Sequence, residues 1–257
     1  MFMWSIKRRI IYALALLVTI LVGLVFLLRG ILFPAPTCFD GNKNGFEANV
    51  DCGGTCALVC TEDVKPLTVV WSKAVPVSKN VYDLVALVSN SNIDNSSESI
   101  GYTFTLYDEE GKVMSTLTGS TTVPLDGKFP LIIQNVKLPK SPTNVSATLT
   151  DGSHYTVLES PTSPTIKILS RKYEGGEIPR VYATISNTKR QIIYNLPVRV
   201  VLFDEEENAY AVGQTIVPVL DKEGVTEIVF TWSQPLIVAP TRISIYPIFN
   251  PFEARGN

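Results

Sequence analysis

The sequence predicts an all-β protein, two tandem β-sandwiches displayed behind a single N-terminal transmembrane α-helix. Three observations lead there. Residues 10–28 run nineteen positions without a charge. From Pro66 onward, short β-branched and aromatic runs alternate with turn signals, as sandwich strands do. Landmarks within those runs then recur in one order about a domain's length later.

The apolar run comes first. Nineteen helical residues at about 1.5 Å each span about 28 Å, close to a hydrocarbon core of about 30 Å. Fourteen of the nineteen are Leu, Ile, Val or Phe. At roughly −0.3 to −0.6 kcal/mol each, they favour insertion by about −4 to −8 kcal/mol. Lys7, Arg8 and Arg9 precede the run with no acid beside them. The positive-inside tendency therefore assigns residues 1–9 to the cytoplasm and everything after Arg29 to the far side of a plasma membrane. A signal peptide also begins basic and apolar, but its core is usually about 7–15 residues and ends in a small-x-small cleavage site. Here the run continues into Ile31, Leu32 and Phe33, and Pro36 crowds Ala35-Pro36-Thr37. The expectation is a retained anchor at 10–33.

Composition narrows the function classes. Four of the 22 Lys and Arg, and none of the 24 Asp and Glu, fall within the first 33 residues. The remainder is mildly acidic and has no basic block, which argues against a nucleic-acid partner. All four cysteines lie between Cys38 and Cys60, beyond the membrane in this topology, where an oxidising compartment favours disulfides.

Residues 34–65 read as a cysteine-rich stalk. Cys38, Cys52, Cys56 and Cys60 allow three pairings, and the sequence does not select among them. Zinc is the competing use, but the intervals lack paired C-x-x-C knuckles. Within this segment Asp40, Asn42, Asn44 and Gly45 follow the start of a calcium loop, D-x-[DN]-x-[DN]-G. Phe46 would offer its backbone carbonyl at the seventh position and Asp51 its carboxylate at the twelfth, making Ca²⁺ the possible cofactor. The alternative is a knot of Asx-turns, in which the same side chains bond their own backbone. Cys38, Asp40, Gly41, Glu47, Val50, Asp51, Cys52, Gly53, Gly54 and Cys56 resemble a short C-x-D-G…V-D-C-G-G-x-C motif of exported bacterial proteins. That resemblance implies a bacterial surface or secreted context and no enzymatic activity.

Strands are expected at residues 68–71, 82–88, 102–107, 113–117, 131–136 and 145–149, separated by Asp126-Gly127, Ser141-Pro142 and Asp151-Gly152. The repeat aligns residues 85–91 with 182–188, 102–110 with 198–206, 123–125 with 217–219 and 142–145 with 240–243. These offsets run from 94 to 98 residues. The economical explanation is duplication of a whole sandwich, giving domains at 66–158 and 164–250, a linker at 159–163 and a tail at 251–257.

Phe104-Thr105-Leu106-Tyr107-Asp108 is similar to the motif of the FxLYD family of immunoglobulin-like domains, with Ser89-Asn90-Ser91 and Glu110-Gly111-Lys112 fitting its turns. The second copy departs from the motif at Val200 and Phe203, and Glu205–Asn208 contains no glycine. The resemblance implies two tandem immunoglobulin-like β-sandwiches, exported, with no catalytic residue to carry over. In purely physical terms, Phe104 and Leu106 alternate with Thr103 and Thr105 as strand residues do, and Asp108 is placed to cap the following turn.

His154 is the single histidine, and no hydrolase, P-loop or dinucleotide fingerprint appears. Asp108-Glu109-Glu110 and Asp204–Glu207 recur at one hairpin, which suits solvated turn charges better than paired general acids. Two loops invite attention, the polar Ser89–Ser99 and the apolar Ile192, Ile193 and Tyr194. The expected function is binding, adhesion or scaffolding at a bacterial cell surface through a protein or glycan partner. The alternative is a structural subunit or spacer of an envelope complex, and an enzyme is the weakest reading.

Overall fold

A computed structural model of the chain describes residues 2–32, 37–92, 95–97, 99–124, 127–150, 156–157 and 166–250. His154, the expected linker 159–163 and the tail 251–257 lie outside the described residues. The chain divides into two units, Met1–Cys56 and Ala57–Asn257.

In the first unit, α1 (Phe2–Leu32) is one unbroken helix, and Ile10–Leu28 is long and apolar enough to cross a membrane. Thr19 donates its hydroxyl to the Ala15 carbonyl at 2.8 Å, so this polar side chain of the apolar run satisfies itself within the helix. Residues 37–56 follow as turns with almost no regular structure, as a Gly- and Asn-rich segment dictates.

The second unit is all β. It contains β1 (Thr68–Ser78), β2 (Val81–Asn90), β3 (Asn95–Ser96), β4 (Ile100–Tyr107), β5 (Val113–Thr121), β6 (Gly127–Lys137), β7 (Asn144–Leu149) and β8 (Thr156–Val157). A second series follows with β9 (Ile166–Glu174), β10 (Arg180–Asn187), β11 (Ile193–Phe203), β12 (Ala209–Leu220), β13 (Val225–Thr231) and β14 (Arg242–Pro247). Strand order is β1-β2-β6 and β5-β4-β7 in the first series, and β9-β10-β13 and β12-β11-β14 in the second. The two series share one topology, with antiparallel pairing throughout. The sequence repeat is therefore a repeat of structure.

Each sheet pair closes on its own core. Leu84, Ala86, Val88, Phe104, Leu106, Phe129 and Leu131 fill the first, and Val181, Ile185, Leu196, Val198, Val200, Leu202 and Phe230 the second. β4 alternates as expected, with Phe104 and Leu106 fully buried and Thr103 and Thr105 half-buried. Val59 and Val64 of the expected stalk, and Leu67 just after it, pack against the first core. The Lys65 amide and carbonyl are also both bonded by the Asn92 side chain at 2.8 Å.

Matched residues do the same work in both copies. Asn90 and Asn187 end β2 and β10, fully buried, each donating its side-chain amide to a carbonyl some 34 residues on (Pro124, Asp221). Each also accepts the amide two residues ahead, from Asn92 or Lys189, at 2.9 Å. Asp108 accepts the Lys112 amide and Asp204 the Asn208 amide, both at 2.8 Å, closing the same hairpin. At the left-handed position of that hairpin the first copy has Gly111 (φ 74) and the second Glu207 (φ 62). Glu207 is held there by Arg242, whose guanidinium also lies 3.5 Å over the Phe203 ring.

A third apolar cluster joins the two sandwiches. Val75, Val85 and Ile132 on the outer face of β1-β2-β6 pack with Val201, Phe203, Ala209 and Val212 on the outer face of the β11–β12 pair. Trp71 meets Phe203 edge-on at a centroid distance of 6.3 Å. β2 and β11 are consequently buried on both faces: residues 83–88 and 198–203 are buried without a break. The unit stacks its sheets in four layers.

Candidate functional site

The first candidate is the cysteine knot at residues 37–56. Cys38 and Cys56 form a disulfide with Cα atoms 5.7 Å apart. Cys52 and Cys60 are disulfide-bonded too, and no cysteine is free, so the zinc alternative has no thiolates. Glu47 lies near both sulfurs of Cys38–Cys56, but oxidised sulfur does not make that group a metal site.

The calcium-type residues do come together, and their oxygens face N–H groups. Asp51 accepts the amides of Asp40 at 2.9 Å and Gly41 at 2.9 and 3.1 Å. Asp40 accepts the amides of Asn42 at 2.9 Å and Thr37 at 3.3 Å, and the Asn44 side chain at 2.8 Å. These bonds, led by Asn44 and Asn42, hold the Asp40 carboxyl below its ordinary range. Asn42 turns its side-chain amide back to the Asp40 carbonyl, and the Phe46 side chain is exposed. The Phe46 carbonyl faces Gly54, where an added Cβ would stand 1.7 Å from its oxygen. Of this set's described side chains, only Asn44 has a buried atom without a partner, its Oδ1. With nearly all carboxylate lone pairs taken by donors, this set as arranged is an Asx-turn knot and does not fit Ca²⁺.

The second candidate was not anticipated from the sequence. Arg199 is 8% exposed in the middle of β11. Strand alternation puts it on the side of Val201 and Phe203, facing the first sandwich. One terminal nitrogen donates to the Pro130 carbonyl at 2.5 Å and the other to the Thr121 hydroxyl at 3.3 Å, while Nε is buried without a partner. Burial lowers its pKa, and among the described residues it is Tyr102 that acts in the opposite direction, by charge interaction. Tyr102, itself buried with its hydroxyl 3.4 Å from the Ile132 carbonyl, is pushed up by burial.

Arg199 lines a cavity of about 420 Å³ together with Ser99, Ser120, Thr122 and Tyr194. Of the apolar loop, Ile193 is buried as the first residue of β11, whereas Ile192 and Tyr194 stay exposed. The left-handed Asn195 (φ 48) accounts for this reversal of the alternation. The sequence signal was Arg199 itself, a charge inside Val198-Arg199-Val200-Val201-Leu202-Phe203 where the first copy has Thr103. A second cavity, about 450 Å³, lies between β1, β12 and the Trp232–Ile237 segment and contains the buried Asp83.

No family model matches this chain, and no curated protein matches it. Among solved structures, a crystal structure of red sea bream transglutaminase aligns over 72% of this chain at 14% identity and a TM-score of 0.24. The chain spans 30% of that protein, and likeness at this level carries no argument about activity.

Proposed function

We propose that this chain is a membrane-anchored extracytoplasmic binding or scaffolding protein of a bacterial envelope, with two FxLYD-type immunoglobulin-like domains as its working surface. The observation that carries the reading is the order of parts. One apolar helix of membrane-spanning length precedes a disulfide-bonded segment, and the duplicated β unit follows. A basic N-terminal flank and oxidised cysteines support a β unit outside the cytoplasm. A duplicated scaffold with a shared buried face offers a large rigid surface, and a protein or glycan is the partner class such surfaces suit. Protease added to intact spheroplasts tests this. The β unit should be digested while residues 1–9 stay protected and attached; protection of the β unit would overturn the topology.

A further inference from the structure

The strongest unassigned feature is the buried guanidinium of Arg199. An uncompensated buried charge is costly, and interior cations are ordinarily paired with an anion. Among the described residues, Arg199 has only a carbonyl and a hydroxyl as partners, with Nε left over. It borders a cavity whose lining residues include Ser99, Ser120 and Thr122. Those groups suit an oxyanion.

The rim adds a second element of recognition. Pro197 pairs with Ile216 and Tyr194 with Val219 across the β11–β12 ladder. Ile216 is 62% exposed and Tyr194 58%, with Val219 and Ile192 also exposed. The outer face of β11–β12 that buries Val201 and Val212 against the first sandwich thus continues beyond Arg199 as uncovered apolar surface. An apolar group lying there would place an attached acid at the cavity.

We propose that the Arg199 cavity binds a carboxylate carried on an apolar group, the chemistry of a peptide C-terminus with a bulky last side chain or of a free aromatic acid. This deepens the binding role proposed above and rests on it, but its test does not depend on topology.

The full chain in detergent is titrated with N-acetylphenylalanine, its neutral amide, phenyl phosphate, and hexapeptides ending in phenylalanine as free acid or amide. Thermal unfolding is the readout, since a ligand of the native state raises the midpoint. The acid should raise it saturably, with the amide and the phosphate at least ten-fold weaker. Tighter binding of the free-acid hexapeptide identifies a protein terminus, and equal binding identifies a small acid. Ile216→Glu, on the exposed rim, should leave the unliganded midpoint unchanged and weaken the acid at least ten-fold. Arg199→Met should abolish the response. An amide as effective as the acid, a phosphate that outcompetes it, an unaltered response in Ile216→Glu, or no response at all would overturn the inference. Loss of the response with spheroplast topology intact would overturn the cavity alone.

Discussion

Asp83 and Asp40 are two carboxylates whose surroundings push them in opposite directions. Asp83 is 4% exposed in β2 and accepts the Asn135 amide at 2.8 Å. Burial nevertheless raises its pKa above 3.8. Ionised Asp83 therefore opposes folding, and the stability is present at low pH and lost as pH rises through the raised folded value. Asp83→Asn keeps an acceptor for Asn135, so chemical denaturation should find it more stable than the parent at pH 7 and equal near pH 3. Asp40 and Asp108 have lowered pKa values because backbone or side-chain N–H groups bond them. Their contribution holds above the unfolded value and fades as pH falls through the folded one, so acid should loosen these turns first. Gly119 is fixed by packing, since a Cβ there would stand 2.5 Å from the Tyr102 ring. Gly119→Ala should cost about 1–3 kcal/mol by overpacking, read from the denaturant midpoint. Gly111→Ala meets no neighbour and should cost about 1–2 kcal/mol through its left-handed backbone alone.

At the scale of elements, the sequence announced most of what formed. The nineteen-residue apolar run became a helix, and the Phe104–Asp108 strand alternates in burial as its residues do. The asparagine and aspartate landmarks proved to be matched turn anchors. Disulfide pairing was not legible, because loop spacing alone does not fix which cysteines meet. The calcium motif was legible as a pattern and ambiguous as chemistry: alternate Asp and Asn oxygens serve backbone amides as readily as a cation. Here the amides hold them. Calorimetric titration of the oxidised full chain with Ca²⁺ should accordingly give equal heats for the parent and for Asp40→Ala, Asp51→Ala. Binding in the parent alone would show that the loop exchanges its N–H donors for a cation. Reducing the knot should release about 3 kcal/mol of loop constraint, most visible as faster proteolysis of residues 37–56.

Across the whole β unit, the sequence concealed how the two sandwiches associate. Residues 82–88 were read as a period-two strand, yet Asp83 through Val88 are buried on both faces. The clue was the unbroken run Leu84-Val85-Ala86-Leu87-Val88, which a sheet with one wet face does not need. The same is true of Val200 to Phe203. Once Val85 and Val201 pack together with Ile132 and Phe203, the halves should unfold as one body, and either half alone would expose that face. The decisive measurement is equilibrium denaturation of the full chain beside Val85→Asp, a change on the outer face of the first sandwich at a position with 0% exposure. The account predicts one transition for the parent and a loss of about 3 kcal/mol or more in the variant, because an unpaired charge enters a buried face. Two separate transitions in the parent, or an unchanged midpoint in Val85→Asp, would contradict the shared interface.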